Sequence, residues 1–457
     1  MKKIFLICMD PETSFFNGSK ILAKHLQRKG HDVILCSSPG LQKGGVRKDL
    51  SIKCQQEDLR YVNIGPSEED VFPVVEKLST LKKKRDYFTN IFLQCIAQLN
   101  DVIKENAVHV VFGNPMHPMS MISSVAALQS SIKYLTFNNS YSSSWSSKVP
   151  PVFESRYFSK GGSILHKTYN IFSWIRHCGL HILPFENRKR WYENTFNMLV
   201  KFSWLDYLKF QRDILKKSGI SDKLYIQGEW AKWLKSPEVV GGTGYLDWPE
   251  LHAISQRTYL GGDIAEKDPD PNFDWSFNSN KKELIYCSFG SLFHNLYGLI
   301  PHDELRSFVE TFIRVFEALS SYNILFSLKE SEKFINNSNI PENITIVDYA
   351  PQHDVLQRCK LMITHGGFSS IRECLYYGVP MVVVPLWTDQ LGNAARVRYH
   401  HLGDFICASD LSEKNLAKTV FKVLQSLEIR RNVLTMHKYC RSENEAEEAI
   451  KFIERNC

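Results

Sequence analysis

Nowhere in its 457 residues does this sequence hold an unbroken apolar run of the roughly 18 or more residues that a membrane-crossing helix needs. No transmembrane segment is therefore expected. No secretory leader is expected from the first residues either. Met1-Lys2-Lys3 opens a short apolar run, Ile4 to Met9, which Asp10-Pro11-Glu12 breaks at once, with no small-residue cleavage site behind it. Cysteine pairing is lacking too: the 11 cysteines lie singly, odd in number and without a C-x-x-C spacing. That pattern predicts reduced thiols in a cytoplasm, each with packing as its role.

What is present is the balance of a globular protein, 43% apolar and 23% charged residues. The chain is too long for one ordinary core, so two α/β domains of about 200 residues each are the expectation. The net charge of +7 is unevenly placed: from Arg156 to Lys235 there are 15 Lys/Arg against 6 Asp/Glu, with 16 aromatic residues among them. No recognised nucleic-acid module accompanies this segment, so it points to a greasy substrate or a peripheral membrane contact and not to nucleic acid. A core helix pair with a solvated basic face is the plainer reading.

Strand-like and helix-like patterns alternate over the first 140 residues. Lys3 to Met9 reads as a strand, Ser19 to Lys29 as a helix closed by Gly30, and Asp32 to Ser37 as the next strand. Phe72 to Ala107 reads as one long helix, followed by strands at Val108 to Phe112 and Ile132 to Phe137 around a helix from Pro118 to Ser130. The second half repeats the theme, with strands at Glu283 to Phe289, Asn323 to Leu328, Ile344 to Tyr349, Leu361 to His365, Met381 to Pro385 and Phe405 to Ala408. This predicts two doubly wound α/β halves joined by the proline-punctuated Asp268-Pro269-Asp270-Pro271. The expected division is 1–265, 266–441, and a C-terminal helix, 442–457, returning to the first domain. Residues 157–235 are expected to be a strandless helical insertion.

The most informative stretch runs from Ile346 to Arg396. A strand ends in His365-Gly366-Gly367, and a helix begins near Phe368. Glycines at a strand-to-helix turn admit a ligand close to the backbone, and the helix end offers it free N–H groups and partial positive charge. Such a turn suits an anion, with diphosphate as the obvious guest. Ser369 and Ser370 supply hydroxyls there, and Glu373, one turn on, can accept from ribose hydroxyls. Asp389 and Gln390 follow the next strand, at the sheet edge where open α/β sheets bind ligands. Alone, His-Gly-Gly makes no more than a tight turn; its company of Pro351-Gln352 upstream and Asp389, Gln390 and Asn393 downstream makes the difference.

This stretch resembles the signature region of the family 1 UDP-glycosyltransferases, especially the bacterial branch that acts on macrolides and carotenoids. The resemblance covers 283–408 well, with Ser288-Phe289-Gly290-Ser291 matching the family's glycine turn. It is traceable from Lys3 to Val33 and poor from Pro150 to Lys235. It implies the GT-B fold, two Rossmann-like doubly wound domains facing a central cleft, and an inverting transfer of a hexose, with glucose the best guess, to a hydrophobic small molecule or lipid. By the family pattern Gly290, Ser291 and Gly367 shape the donor site, Tyr349 stacks on uracil, and Gln352 lies beside the base and ribose. His365 and Ser370 fall on the diphosphate, Glu373 on the ribose, and Asp389 and Gln390 on the sugar hydroxyls. Tyr349 stands where many members have tryptophan, and Ser369 where asparagine is common, which leaves uridine against thymidine open. The donor enters as a substrate; no cofactor and no metal is implied, and the D-x-D pattern at Asp268 to Asp270 reads as spacer.

Two rivals share parts of this pattern: a sugar-nucleotide epimerase, and a nucleotide-sugar-binding regulatory subunit without catalysis. The second gains from a departure. Family members carry a histidine after the first strand and an aspartate after a later one, and here those places hold Phe15 and Gly113-Asn114. A phenylalanine takes no proton, so Asp10, Glu12 and His117, all in strand-end loops, become the candidate bases. Each also has an ordinary reading as a turn, cap or solvated loop residue.

Overall fold

The computed structural model describes residues 2–10, 13–38, 50–115, 118–141, 143–152, 154, 164–180, 204–229, 232–252, 254–265, 269–279, 282–290, 300–335, 340–386, 389–442 and 444–457. Its chain divides into two compact units, residues 1–261 with 443–457, and residues 262–442.

The first unit is built on a seven-stranded parallel sheet. In chain order its strands are β1 (Ile4–Cys8), β2 (Asp32–Ser37), β3 (Arg60–Asn63), β4 (Val110–Gly113) and β5 (Lys133–Asn138). After a separate antiparallel pair, β6 (Tyr225–Gln227) and β7 (Lys232–Leu234), come β8 (Glu238–Val240) and β9 (Arg257–Tyr259). The sheet order is β3-β2-β1-β4-β5-β8-β9. The chain thus builds outward from β1 on one side and then reverses to β4. β1 is apolar almost throughout because both faces of a central parallel strand are covered. The crossover helix α1 (Thr13–Arg28) ends where Gly30, at φ +86°, turns the chain into β2.

The long helix expected from Phe72 to Ala107 is two helices, α2 (Glu68–Lys77) and α3 (Leu81–Glu105). The break comes at Thr80, whose hydroxyl accepts from the Lys83 N–H at 3.2 Å and so starts a new helix. Phe88, Phe92, Cys95, Ile96, Leu99 and Ile103 on α3 repeat at helical spacing and are buried. Against them packs the helix Trp204–Lys217, with Phe92 and Phe210 edge to face at 4.8 Å.

That contact corrects the reading of 157–235. The segment is not strandless, since β6 and β7 form a hairpin in it. Tyr207, Phe210, Ile214 and Leu215 are core residues of the first unit, so these two aromatic rings of the segment are spent on packing. On the helix Ile164–Leu180 the large apolar side chains of Ile171, Phe172 and Ile175 stand exposed.

The second unit holds a six-stranded parallel sheet: β10 (Glu283–Ser288), β11 (Tyr322–Ser327), β12 (Ile344–Val347), β13 (Cys359–Thr364), β14 (Met381–Val383) and β15 (Gly403–Phe405). Their order, β12-β11-β10-β13-β14-β15, again reverses beside the first strand in the chain. The helix His302–Ala318 covers one face through Leu305, Val309, Phe312 and Phe316. Phe289, just past β10, sends its ring into this layer at 5.1 Å from Phe312, anchoring the loop that follows.

At the edge of the first sheet lies one largely buried ion network. Arg257 on β9 donates to Glu238 on β8 at 3.0 Å and to Asp247 at 2.8 Å, and the Tyr259 hydroxyl donates to Asp247 at 3.0 Å. Removing one member leaves buried charge uncompensated, which costs about 3–5 kcal/mol. Arg257→Ala is expected to destabilise the first unit by about that amount, read as an earlier transition in urea unfolding followed by circular dichroism.

Candidate functional site

The reversal in strand order opens a crevice at the carboxyl ends of β10 and β13, the place where doubly wound sheets take ligands. Gly290 follows the first strand and His365 the second. The two loops meet there. A Cβ on Gly290 would lie 2.6 Å from His365 Cε1, and one on Gly367 would lie 2.5 Å from His365 Nε2. The imidazole therefore occupies space that only glycine leaves open on either side. Gly290 has φ +78° and Gly366 φ +82°, backbone states that glycine adopts without strain.

Burial drives the His365 pKa down to about 4, against a smaller upward push from a hydrogen bond to the Ser288 backbone. The ring is neutral near pH 7, and it offers an anion an N–H without a positive charge of its own. Positive potential comes from the next element, the helix Phe368–Tyr377. Its N-cap is Gly367, which has no side chain to cap the first turn, and the first bond inside the helix is Ile371 N–H to the Gly367 carbonyl at 3.1 Å. Ser369 and Ser370, both half-buried, sit in that first turn.

Asn393 ties this turn to the next loop. Its amide donates to the Gly366 carbonyl and to Asp389 Oδ2, each at 3.1 Å. Gln390, buried at the start of the helix Gln390–Tyr399, turns its Oε1 inward to accept from the Leu386 N–H at 2.8 Å. Sequence reasoning noted Asn393 in the pattern but gave it no task. Its burial at 1% exposure shows that it braces the site from beneath.

On the other side of the crevice Gln352 Nε2 donates to Glu373 Oε2, and the Tyr286 hydroxyl lies 3.4 Å from Gln352 Oε1. His353 Nε2 stands 3.5 Å from the other carboxylate oxygen. His353 and Tyr286 were missed: a histidine beside the motif's glutamine carries no spacing signal, and the tyrosine lies inside an ordinary buried strand. Tyr349, past the end of β12, is 62% exposed, a ring face open to solvent. The backbone N–H of Asp270 donates to Asp354 Oδ2 at 2.9 Å, so this half of the D-x-D pattern is held in a loop contact; Asp268 lies outside the described residues.

The first unit has its own crevice between β1 and β4, with Asp10 and Asn114 at the two strand ends, both buried. Phe15 is not in a loop: it lies on α1 with its ring buried. Burial, and secondarily the Asp10 carboxylate, push the Tyr207 hydroxyl up, which puts Asp10 in the neighbourhood of that ring. Glu12, His117 and Ser291 lie outside the described residues. No helix among the described residues is long and apolar enough to cross a membrane.

Comparison with known proteins fits this geometry. The profile of the family described as UDP-glucoronosyl and UDP-glucosyl transferase matches residues 3–443. UDP-glucuronosyltransferase 3A1 of Xenopus laevis is 31% identical over 172 residues, covering 36% of this chain and 31% of that protein. The uncharacterized UDP-glucosyltransferase YojK of Bacillus subtilis (strain 168) is 28% identical over 168 residues, covering 37% and 39%. The aligned part thus spans about a third of the length of these curated relatives. Among solved structures, the glycotransferase of kitacinnamycin superposes with a TM-score of 0.69 at 17% identity, covering 100% of this chain and 99% of that one. Such neighbours carry the GT-B fold of two Rossmann-like domains, and the two parallel sheets here are of that kind.

The neutral imidazole has a measurable consequence. The folded pKa of His365, about 4, is below the ordinary histidine value of 6.5, so between those values the unfolded chain binds a proton that the folded one refuses. Stability contributed at this site is whole above pH 6.5 and declines as pH falls toward 4. In NMR titration the His365 ring is expected to change state near pH 4; titration at the ordinary value would contradict the packed arrangement.

Proposed function

This chain belongs to the UDP-glucoronosyl and UDP-glucosyl transferase family, and from that premise we propose that it moves a hexose, glucose first, from UDP to a hydrophobic small molecule or lipid with inversion at the anomeric carbon. The observation that carries the reading is the turn at His365, where two glycines make room for a neutral imidazole beside an uncapped helix start. A diphosphate leaving the sugar needs its growing charge met as the bond breaks. Preorganised N–H groups at a helix end do that without reorganisation.

In this reading His365, Ser370 and the first-turn amides hold the diphosphate. Tyr349 stacks on the uracil, Gln352 and Glu373 take the ribose side, and Asp389 and Gln390 meet the sugar hydroxyls. The bracing by Asn393 supports the last assignment, because it fixes Asp389 relative to the phosphate turn. In the reaction the acceptor oxygen bonds to the anomeric carbon as the carbon–oxygen bond to the diphosphate breaks, and the acceptor's proton goes to a base. Asp10 is our choice for that base among the described residues, since it ends β1 at the first unit's crevice. The exposed Ile171, Phe172 and Ile175 support a greasy acceptor or a peripheral membrane contact on the same unit.

A second reading has one observation in its favour. With Phe15 buried on a helix and Asn114 at the end of β4, the usual proton-accepting pair is missing, and a nucleotide-sugar-binding protein without transfer would need none. Turnover separates the two. UDP-glucose is expected to be consumed in the presence of a panel of hydrophobic hydroxyl acceptors, with glycosylated product seen by mass spectrometry; binding without any transfer supports the second reading.

Hydrogen bonds to a charged group are worth about 1.5–3 kcal/mol. His365→Ala is accordingly expected to weaken UDP binding by about tenfold or more in calorimetry, with an unchanged circular dichroism spectrum. Unaltered affinity in the folded variant would remove His365 from the donor site.

A positioned base contributes about 10²–10⁴-fold to rate. Asp10→Asn should lower turnover with a hydroxyl acceptor by a factor in that range while UDP affinity stays as it was. Full turnover in that variant would leave the acceptor's own acidity, or a base outside the described residues, as the explanation.

A further inference from the structure

On the helix Leu427–Cys440 of the second unit the inner face is complete. Ile429, Val433, Met436 and Cys440 repeat at helical spacing and are buried. His437 adds a polar tie, its Nδ1 lying 2.6 Å from the Tyr376 carbonyl oxygen. Tyr376 is about 12 Å along the axis from the start of the helix Phe368–Tyr377. The tie is therefore made at the end of that helix remote from the anion turn.

The outer face should be polar if it only meets water, yet Leu427 is 80% exposed and Leu434 49%. Seven residues apart, they share one side of the helix about 10 Å from each other. Together with Arg430, Arg431, Thr435 and Lys438 they line one groove. Its three cations make no ion pair among the described residues, and no carboxylate lines it. The single acidic residue of the helix, Glu428, approaches His401 instead, at 3.8 Å.

Uncompensated positive charge around exposed leucines suits a partner that is anionic and apolar at once. A second copy of this chain brings the same three cations to the contact, and like charges repel. An amphipathic peptide helix anchors through a continuous apolar groove, and here two arginines interrupt the leucines. An anionic bilayer meets both demands. Leucine side chains enter the acyl boundary, while the long stems of Arg and Lys lie along it and carry their charge to the phosphates.

We propose that the outer face of the helix Leu427–Cys440 docks on an anionic lipid bilayer, giving the second unit a membrane contact of its own. This is independent of the donor-site reading and of the exposed apolar residues on the helix Ile164–Leu180, which belongs to the other unit.

Sedimentation of the full chain with vesicles tests it, one set of phosphatidylcholine alone and one of equal parts phosphatidylcholine and phosphatidylserine. Each cation near an anionic surface contributes about fivefold, so the wild type is expected to prefer the phosphatidylserine vesicles by roughly a hundredfold at low salt. Changing Arg430→Gln, Arg431→Gln and Lys438→Gln together should abolish that preference. Leu427→Ser with Leu434→Ser should weaken binding about tenfold on both sets. All these side chains are exposed, so an unchanged circular dichroism spectrum is expected of both variants. Undiminished binding by the folded glutamine variant overturns the proposal. A wild type that sediments with neither set overturns it too, and retention on poly-glutamate would then make an acidic polypeptide the partner. Binding that is lost in Phe172→Ser with Ile175→Ser, and kept in both variants of Leu427–Cys440, overturns it in favour of the first unit.

Discussion

The imidazole of His365 and the absence of side chains on Gly290 and Gly367 form one packing unit, and the donor-side crevice is shaped around it. A methyl group on either glycine would sit within about the length of a hydrogen bond of ring atoms, well inside van der Waals contact. Because Gly290 follows β10 and His365 follows β13, this contact couples the two strands at which the sheet reverses its order. It also holds the start of the helix Phe368–Tyr377 in place, since Gly367 is both the ring's neighbour and the helix N-cap. The same packing keeps the imidazole neutral, which leaves the helix end as the local source of positive potential.

Around that unit the loops are fixed by buried side-chain amides more than by apolar contact. Asn393 bonds the glycine turn and Asp389 together, Gln390 turns inward to the Leu386 N–H, and Gln352 bonds Glu373. Amides suit this work because each carries donors and an acceptor with defined directions. Buried hydrogen bonds set geometry to a few tenths of an ångström, and a site that must recognise several hydroxyls needs that definition. The cost is a set of polar groups desolvated on folding, as the unpartnered Nδ1 of His353 shows.

The first unit uses the same strand order with different contents. At its reversal stand Asp10 and Asn114, and nearby Asn139 fills a niche where a Cβ on Gly18 or Gly241 would clash with its amide. Its outer strands depend on the largely buried network of Arg257, Glu238 and Asp247, and Glu445 of the helix Asn444–Arg455 accepts from the Gly244 N–H at 2.7 Å beside it. Charge is buried there for tying strands and helix together, whereas in the second unit the polar groups near the crevice still meet solvent at Glu373 and Tyr349.

By itself the sequence determined the two α/β halves, the strand through Thr364, the helix start at Phe368 and the glycine turn between them, because strand length, helical spacing and glycine placement are local properties that need no partner. Its signals failed where the deciding atoms were close in sequence but subtle, or far apart. Thr80 split an expected long helix through one hydroxyl, and Tyr207 and Phe210, part of the aromatic content that suggested a surface, are core residues, Phe210 lying edge to face with Phe92 of α3. Only the tertiary structure decided that His365 is neutral, that Asn393 braces two loops, and that His353 faces Glu373 across twenty residues of chain. Those facts arise from burial and from distances between strand ends, and a linear pattern encodes neither until the sheet brings β10, β13 and β14 side by side.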